Sequence, residues 1–302
     1  MKIKFTLFVL FALLLGSGSK SYAQFDKPSF QLSIGISEPL DQLKGGNYYY
    51  FTNKFDTMTF SQQLMFIDTN FMTHDYRAKT GININGAAKI NFDKYSIVRG
   101  VAFASFNSFN TFQSSVTGNT LTTFSQGTSN VFVPASVTFN YSLSVFSLGV
   151  GLEIAPTSFT NLISPFFGAN VSMNFINAEL ERTSGSRIDT PRVTANGTRF
   201  GANLTGGIEF KINPQFGIML GAKYDMANLL GKGTNQSMND PVIWGSSNAS
   251  LNDENGPFYS NVYLPMNLAP RFTPYQAQDK KINWLSFFVG VNFYPSSLTG
   301  KK

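Results

Sequence analysis

The 302-residue chain has no cysteine, one histidine and a formal net charge of +6, and only 13% of its residues are charged, about half the share usual in soluble domains. The lack of cysteine excludes disulfides, thiolate metal sites and a lipoprotein anchor. The weak positive charge is unclustered, its densest run being Lys280-Lys281, which excludes a nucleic-acid partner, since that needs a basic face.

Lys2 and Lys4 precede an apolar run from Phe5 to Leu15, and Ser21-Tyr22-Ala23 offers small residues at a cleavage position. The run falls short of the roughly 18 residues of a membrane-crossing helix. The expectation is a signal peptide over 1–23 and one domain over 24–302, with an uncleaved anchor as the alternative. Loss of Lys2, Lys4 and Lys20 leaves 20 basic against 17 acidic residues. Aromatics make up 15% of the chain, with 31 Phe, 12 Tyr and 2 Trp, yet the mean hydropathy is −0.05. No long apolar stretch follows residue 23. That combination excludes a helical membrane protein and fits alternating strands.

Apolar residues recur at every second position along the mature chain, the period of a strand with one oily face. Phe30, Leu32, Ile34 and Ile36 open the first strand, and Ile82, Ile84, Gly86, Ala88 and Ile90 form the second. A tight turn at 91–94 leads to a third over about 95–106. Its register stays open, because Val101 and Phe103 share parity with Arg99. Val131 to Phe139 predicts a fourth strand, a parity change near 141–145 a turn, and Phe146 to Ile154 a fifth. Phe167 to Phe175 predicts a sixth. Ala202, Leu204, Ile208 and Phe210, then Phe216, Ile218, Leu220, Ala222 and Tyr224, form a hairpin about Asn213-Pro214. Leu285 to Phe293 is the ninth. Bacterial single-chain barrels are even-stranded, so either one strand is false and there are eight, or one is hidden at 47–60, 178–198 or 257–268 and there are ten. Connections at 92–94, 141–144 and 212–215 are tight. Those at 38–79, 107–129, 178–198 and 227–283 are long and rich in Asn, Ser, Thr and Gly.

Alternation alone fits a soluble sandwich or a membrane barrel. Export, scarce charge, uncharged polar faces and aromatics at strand ends favour the barrel. The predicted girdle is Phe92, Tyr95, Phe210, Phe216, Phe293 and Tyr294, at the lipid–water boundary. In "SPFFGANVSMNF" at 164–175, "EFKINPQFGIMLGAKY" at 209–224 and "SFFVGVNFYP" at 286–295, the chain resembles the outer-membrane β-barrel family of Gram-negative bacteria, the small porin-like, OmpA-type class. The resemblance covers about 29–294. It implies an all-β, antiparallel transmembrane barrel of eight to ten strands with long extracellular loops, among them about 38–79 and 227–283. It also implies an outer-membrane location, contact with outer-membrane lipid, and an assembly machinery that reads the last aromatics, Phe293-Tyr294.

By parity Lys89, Glu153, Glu209, Lys211, Lys223 and Asp225 face the lumen. Mixed signs there point to a salt-bridge network that fills the barrel or lines a narrow pore; an eight-strand lumen is just wide enough for side chains. His74, in Thr73-His74-Asp75, is a candidate general base for a rim hydrolase with Asp56 or Asp68. Adjacent residues of an extended loop point opposite ways, and a solvated loop His is the plainer reading. Asp189, Asp240, Asp253 and Glu254 lie in loops, and "NDENG" at 252–256 lacks the Ca²⁺-loop spacing. No metal or cofactor is expected. Trp244, Phe258, Tyr259, Tyr263, Phe272 and Tyr275 could anchor an extracellular ligand or protein, or pack over the mouth as a lid. The expected function is a non-enzymatic structural or loop-binding barrel, with a small passive channel as the alternative and a hydrolase using His74 as a distant one.

Overall fold

The computed structural model describes residues 28–44, 50–56, 61–67, 75–76, 78–92, 97–109, 113–123, 130–155, 163–184, 192–234, 237–238, 247–261 and 272–295. The expected signal peptide, Tyr95 and His74 lie outside these residues.

Eight antiparallel strands form the wall: β1 (Ser29–Leu40), β2 (Gly81–Asn91), β3 (Val98–Phe109), β4 (Asn130–Ile154), β5 (Ile163–Ser184), β6 (Arg192–Lys211), β7 (Phe216–Leu230) and β8 (Asn283–Phe293). Each pairs with its sequence neighbours. β8 returns to β1, from Phe30 opposite Phe293 to Leu40 opposite Asn283, so the sheet closes.

Eight replaces the nine runs of the sequence because the turn expected at 141–145 does not exist. The two runs on either side of it are one 25-residue strand, β4. Leu143 and Val145 are buried at 3% and 0% exposure, whereas Phe146, Leu148 and Val150 stand exposed. The backbone alternation never reverses; what reverses is which side of the wall is oily. None of the three hidden candidates adds a strand to the wall. Residues 178–184 and 192–198 lengthen β5 and β6, Tyr50–Asp56 pairs with Ser61–Ile67, and Gly256–Asn261 pairs with Phe272–Ala277.

The third short connection is therefore 155–162, not 141–144. Together with 92–97 and 212–215 it joins strands at the end of the barrel where β1 starts and β8 finishes. The connections 41–80, 110–129, 185–191 and 231–282 join the strands at the other end; three of them are long, and 185–191 is no longer than 155–162. The tight 212–215 turn is set by Asn213, whose side-chain oxygen accepts hydrogen bonds from the N–H groups of Gln215 and Phe216, both 2.8 Å. At 25, 22 and 20 residues, β4, β5 and β6 exceed the roughly 9–11 that cross a bilayer, so they continue beyond it on the loop side.

Among the described residues, thirty large apolar side chains stand exposed. Most recur at every second position on the outward face, over seven residues from Phe30 to Ile36 and nine from Phe146 to Ile154 for example. Leaving each in water would cost about 1.5–3 kcal/mol, tens of kcal/mol in sum, against a typical net fold stability of about 5–15 kcal/mol. Hydrocarbon is the solvent that removes the cost. Leu204, Ile218 and Val289 belong to this belt at 42%, 39% and 46% exposure, while Glu209 and Lys223 face inward at 4% and 5%. A two-sheet sandwich would show the reverse.

Candidate functional site inside the barrel

Strand β3 resolves its register by turning Arg99, Phe103, Ser105, Asn107 and Phe109 inward, all buried. An eight-strand lumen is narrow for an aromatic ring, and the neighbouring strand makes room with glycine. Gly149 lies opposite Phe103, Gly207 opposite Phe166 and Gly221 opposite Phe288. A Cβ on any of the three glycines would overlap the ring beside it.

Near the turn end, Lys89 Nζ lies 2.6 Å from Glu153 Oε2, and Arg99 Nη1 lies 3.2 Å from Glu153 Oε1 and 4.0 Å from Glu209 Oε2. The Tyr294 hydroxyl donates to Glu209 Oε1. Lys89 also sits 5.3 Å from the centre of the Phe166 ring, within cation–π range. Lys211 is only half-buried, at the rim, with its Nζ 5.6 Å from the Tyr294 ring centre. Lys223 and Asp225 form a separate pair at 3.3 Å. The register explains the separation: Glu209 is opposite Met219, four residues from Lys223, about 13 Å along a strand.

Two members of the turn-end cluster escape the parity reading. Arg99 is hidden by the open register of β3. Tyr294 is expected on the girdle and instead is buried at 8% exposure, because it follows outward Phe293 by one position. Phe92 and Phe216 do face outward, and Phe210 and Phe293 share that face, half-buried. The Phe216 and Phe293 rings lie 5.3 Å apart.

Between the two charge groups, Asn83 donates to Asn107 at 2.8 Å and Asn170 to Asn203 at 2.7 Å. Asn83, Asn170, Asn203, Lys89 and Lys223 border a cavity of about 30 Å³, room for about two waters.

At the loop end the interior turns apolar. Phe109, Leu143, Val145, Ile176 and Trp284 from the wall pack with Leu43, Tyr76, Leu251 and Ile282 from the connections. Phe109 and Trp284 meet edge to face at 5.5 Å. Tyr76 donates to the Leu251 carbonyl at 2.8 Å, tying the first long connection to the last. Asp253 sits beside this cluster, fully buried. It accepts from Arg199 Nε at 2.9 Å and Nη2 at 2.7 Å, Asn228 Nδ2 at 2.9 Å and the Gly233 N–H at 3.1 Å. Burial works to raise the Asp253 pKa, but the Arg199 and Asn228 hydrogen bonds prevail and hold it below the ordinary carboxylate value. These donors occupy the carboxylate that "NDENG" offered to a cation. Among the described residues no group of three or more acidic, His or Cys side chains could hold a metal. Asp75, beside His74, is half-buried. Of the loop aromatics, Phe258, Tyr259, Phe272 and Tyr275 lie on the paired outer strands, and Trp244 and Tyr263 fall outside the described residues.

No protein-family model matches the chain, and no curated protein matches it. Among solved structures, neisserial surface protein A is 10% identical over 88% of this chain and 96% of its own, with a TM-score of 0.38. Ail, the attachment invasion locus protein of Yersinia pestis, is 10% identical over 88% of this chain and 99% of its own, with a TM-score of 0.33. Likeness at that level carries no functional weight. This chain's own geometry gives the fold class: a closed antiparallel wall with an oily outer belt and a charged interior is a membrane-spanning β-barrel.

Proposed function

We propose that the protein, exported by a signal peptide cut after Ala23, works through its outer loops and not its lumen, as a structural or partner-binding barrel without enzymatic activity. One observation carries this reading: the interior is occupied in series, by paired charges near the turn end and by an apolar cluster near the loop end. The cavity bordered by Asn83, Asn170, Lys89 and Lys223 between them has room for about two waters. Leu43 and Tyr76 of the first connection and Leu251 and Ile282 of the last are docked into the mouth, which holds these parts in place beneath a surface open to an extracellular ligand or protein. Outer-membrane lipid surrounds the belt, and the assembly machinery reads the strand end at Phe293.

The test is conductance of the refolded chain in planar bilayers, where no discrete openings are expected. A steady open state would instead support a small passive channel, for which the polar cavity lining speaks. Hydrolysis that is lost in His74→Ala would overturn the non-enzymatic reading.

A further inference from the structure

We propose that the loop end of the barrel contains a binding site for a short aliphatic carboxylate, and that the chain's own Leu251 and Asp253 occupy it. Three consecutive residues, Leu251, Asn252 and Asp253, are buried at 1%, 1% and 0% exposure. An extended segment alternates sides and cannot bury three in a row against one surface. Asn252 makes it happen with a φ of 48°, a left-handed conformation that Asn tolerates, so the chain bends and enters the mouth as a point.

The wall receives that point with two complementary features. Leu251 packs where β6 has Gly197; a Cβ there would lie 2.7 Å from Leu251 Cδ1. Ala178, Ala195 and Trp284 belong to the same apolar cluster. Beside this pocket Arg199 presents its planar fork to Asp253 through Nε and Nη2, with Asn228 Nδ2 completing the set from β7. A fork of this kind suits a planar carboxylate. All the receiving groups except the Gly233 N–H are on wall strands, whereas the group they receive is on a connection. A free molecule with an aliphatic tail and a carboxylate head offers the same two contacts and can take the place of the loop. The site stands whether or not the outer loops bind a partner.

The test uses the full chain in lipid vesicles with Trp244→Phe, which leaves Trp284 as the only tryptophan. In Asp253→Ala, hexanoate should shift the Trp284 emission and raise the temperature of the heat-induced gel-mobility change, and hexanol at equal concentration should do less. Adding Arg199→Ala should weaken the hexanoate response at least about tenfold, the scale of a lost charge-assisted contact. If Asp253→Ala alone does not fold, hexanoate present during refolding should restore the yield. No response to hexanoate, an equal response to hexanol, or a response independent of Arg199 would overturn the site.

Discussion

The two ends of the barrel interior draw their inward side chains from different parts of the chain. At the turn end, Lys89, Arg99, Glu153 and Glu209 all come from wall strands, with Tyr294 directly after β8, and they meet as ions. At the loop end apolar residues of the wall meet apolar residues of the connections, with the Arg199–Asp253 ion pair beside them at 2.7 Å. Wall-borne filling cannot leave without opening the strand ladders. Loop-borne side chains can leave while the eight antiparallel wall ladders stay intact, giving up the short parallel pairing of Ser247–Ala249 with Val193–Ala195. The same barrel therefore has one end whose occupancy is tied to global stability and one whose occupancy is tied to the docking of a segment.

The largest expected effect tests the turn end. Glu153→Ala leaves Lys89 without its carboxylate and takes from Arg99 the nearer of its two, in a site where both cations are nearly fully buried, and breaking such a pair costs about 3–5 kcal/mol. Urea unfolding in vesicles should show the loss for the barrel as a whole, with all probes moving together. If the wall instead kept its midpoint, the turn-end ions would be solvated and the comparison would collapse.

Next comes the loop end. Leu251→Ala removes a buried side chain from the apolar cluster, a change of about 2–5 kcal/mol. Here the expected loss is local: protease should cut within 231–282 at lower concentration, while the heat-modifiable gel mobility of the barrel persists. Simultaneous loss of both would show that the connection is as much part of the wall as β8.

This contrast also marks what the sequence could show. The belt, the closed all-β class and five of the inward charges are legible because a strand writes its two faces into alternate letters, and hydrocarbon enforces the outer face on every strand. Arg99 is not, since Phe103 breaks the oily-out pattern and only the glycine opposite it, 46 positions further along the chain, explains how the ring fits inside. Nor is the strand count, because Leu143 and Val145 are oily on the inner side, where their partners arrive from connections. The Arg199–Asp253 contact joins a wall strand to an aperiodic loop 54 residues away, and nothing local in "NDENG" names its partner.

A smaller effect, with a sign in pH, sharpens the loop end further. Asp253→Asn keeps the shape but gives up the charge that Arg199 and Asn228 address, a loss of about 1.5–3 kcal/mol. The folded-state carboxyl titrates below its ordinary value of 3.8. Its contribution is thus complete above that ordinary value and disappears as pH falls through the depressed one. Protection of 231–282 against an acid-active protease should fade below about pH 4 in the native chain. In Asp253→Asn the protection should be lower at neutral pH and should not change over that range.

The smallest effect uses the same ion types in a different solvent. Lys44 and Glu38 meet at 3.0 Å, close to the 2.6 Å of Lys89 and Glu153, yet their side chains are 61% and 39% exposed. Water screens the attraction, and ordering two long side chains offsets much of what remains, so Lys44→Ala should cost no more than about 0.5 kcal/mol. Burial, and not the distance between the charges, then sets the roughly tenfold difference from Glu153→Ala. Raising salt to 1 M should abolish the small effect and leave the large one, since screening reaches exposed pairs far more than buried ones. Equal salt sensitivity at the two positions would mean that bulk electrolyte reaches Lys89 and Glu153, and with it that the lumen is open from the turn end.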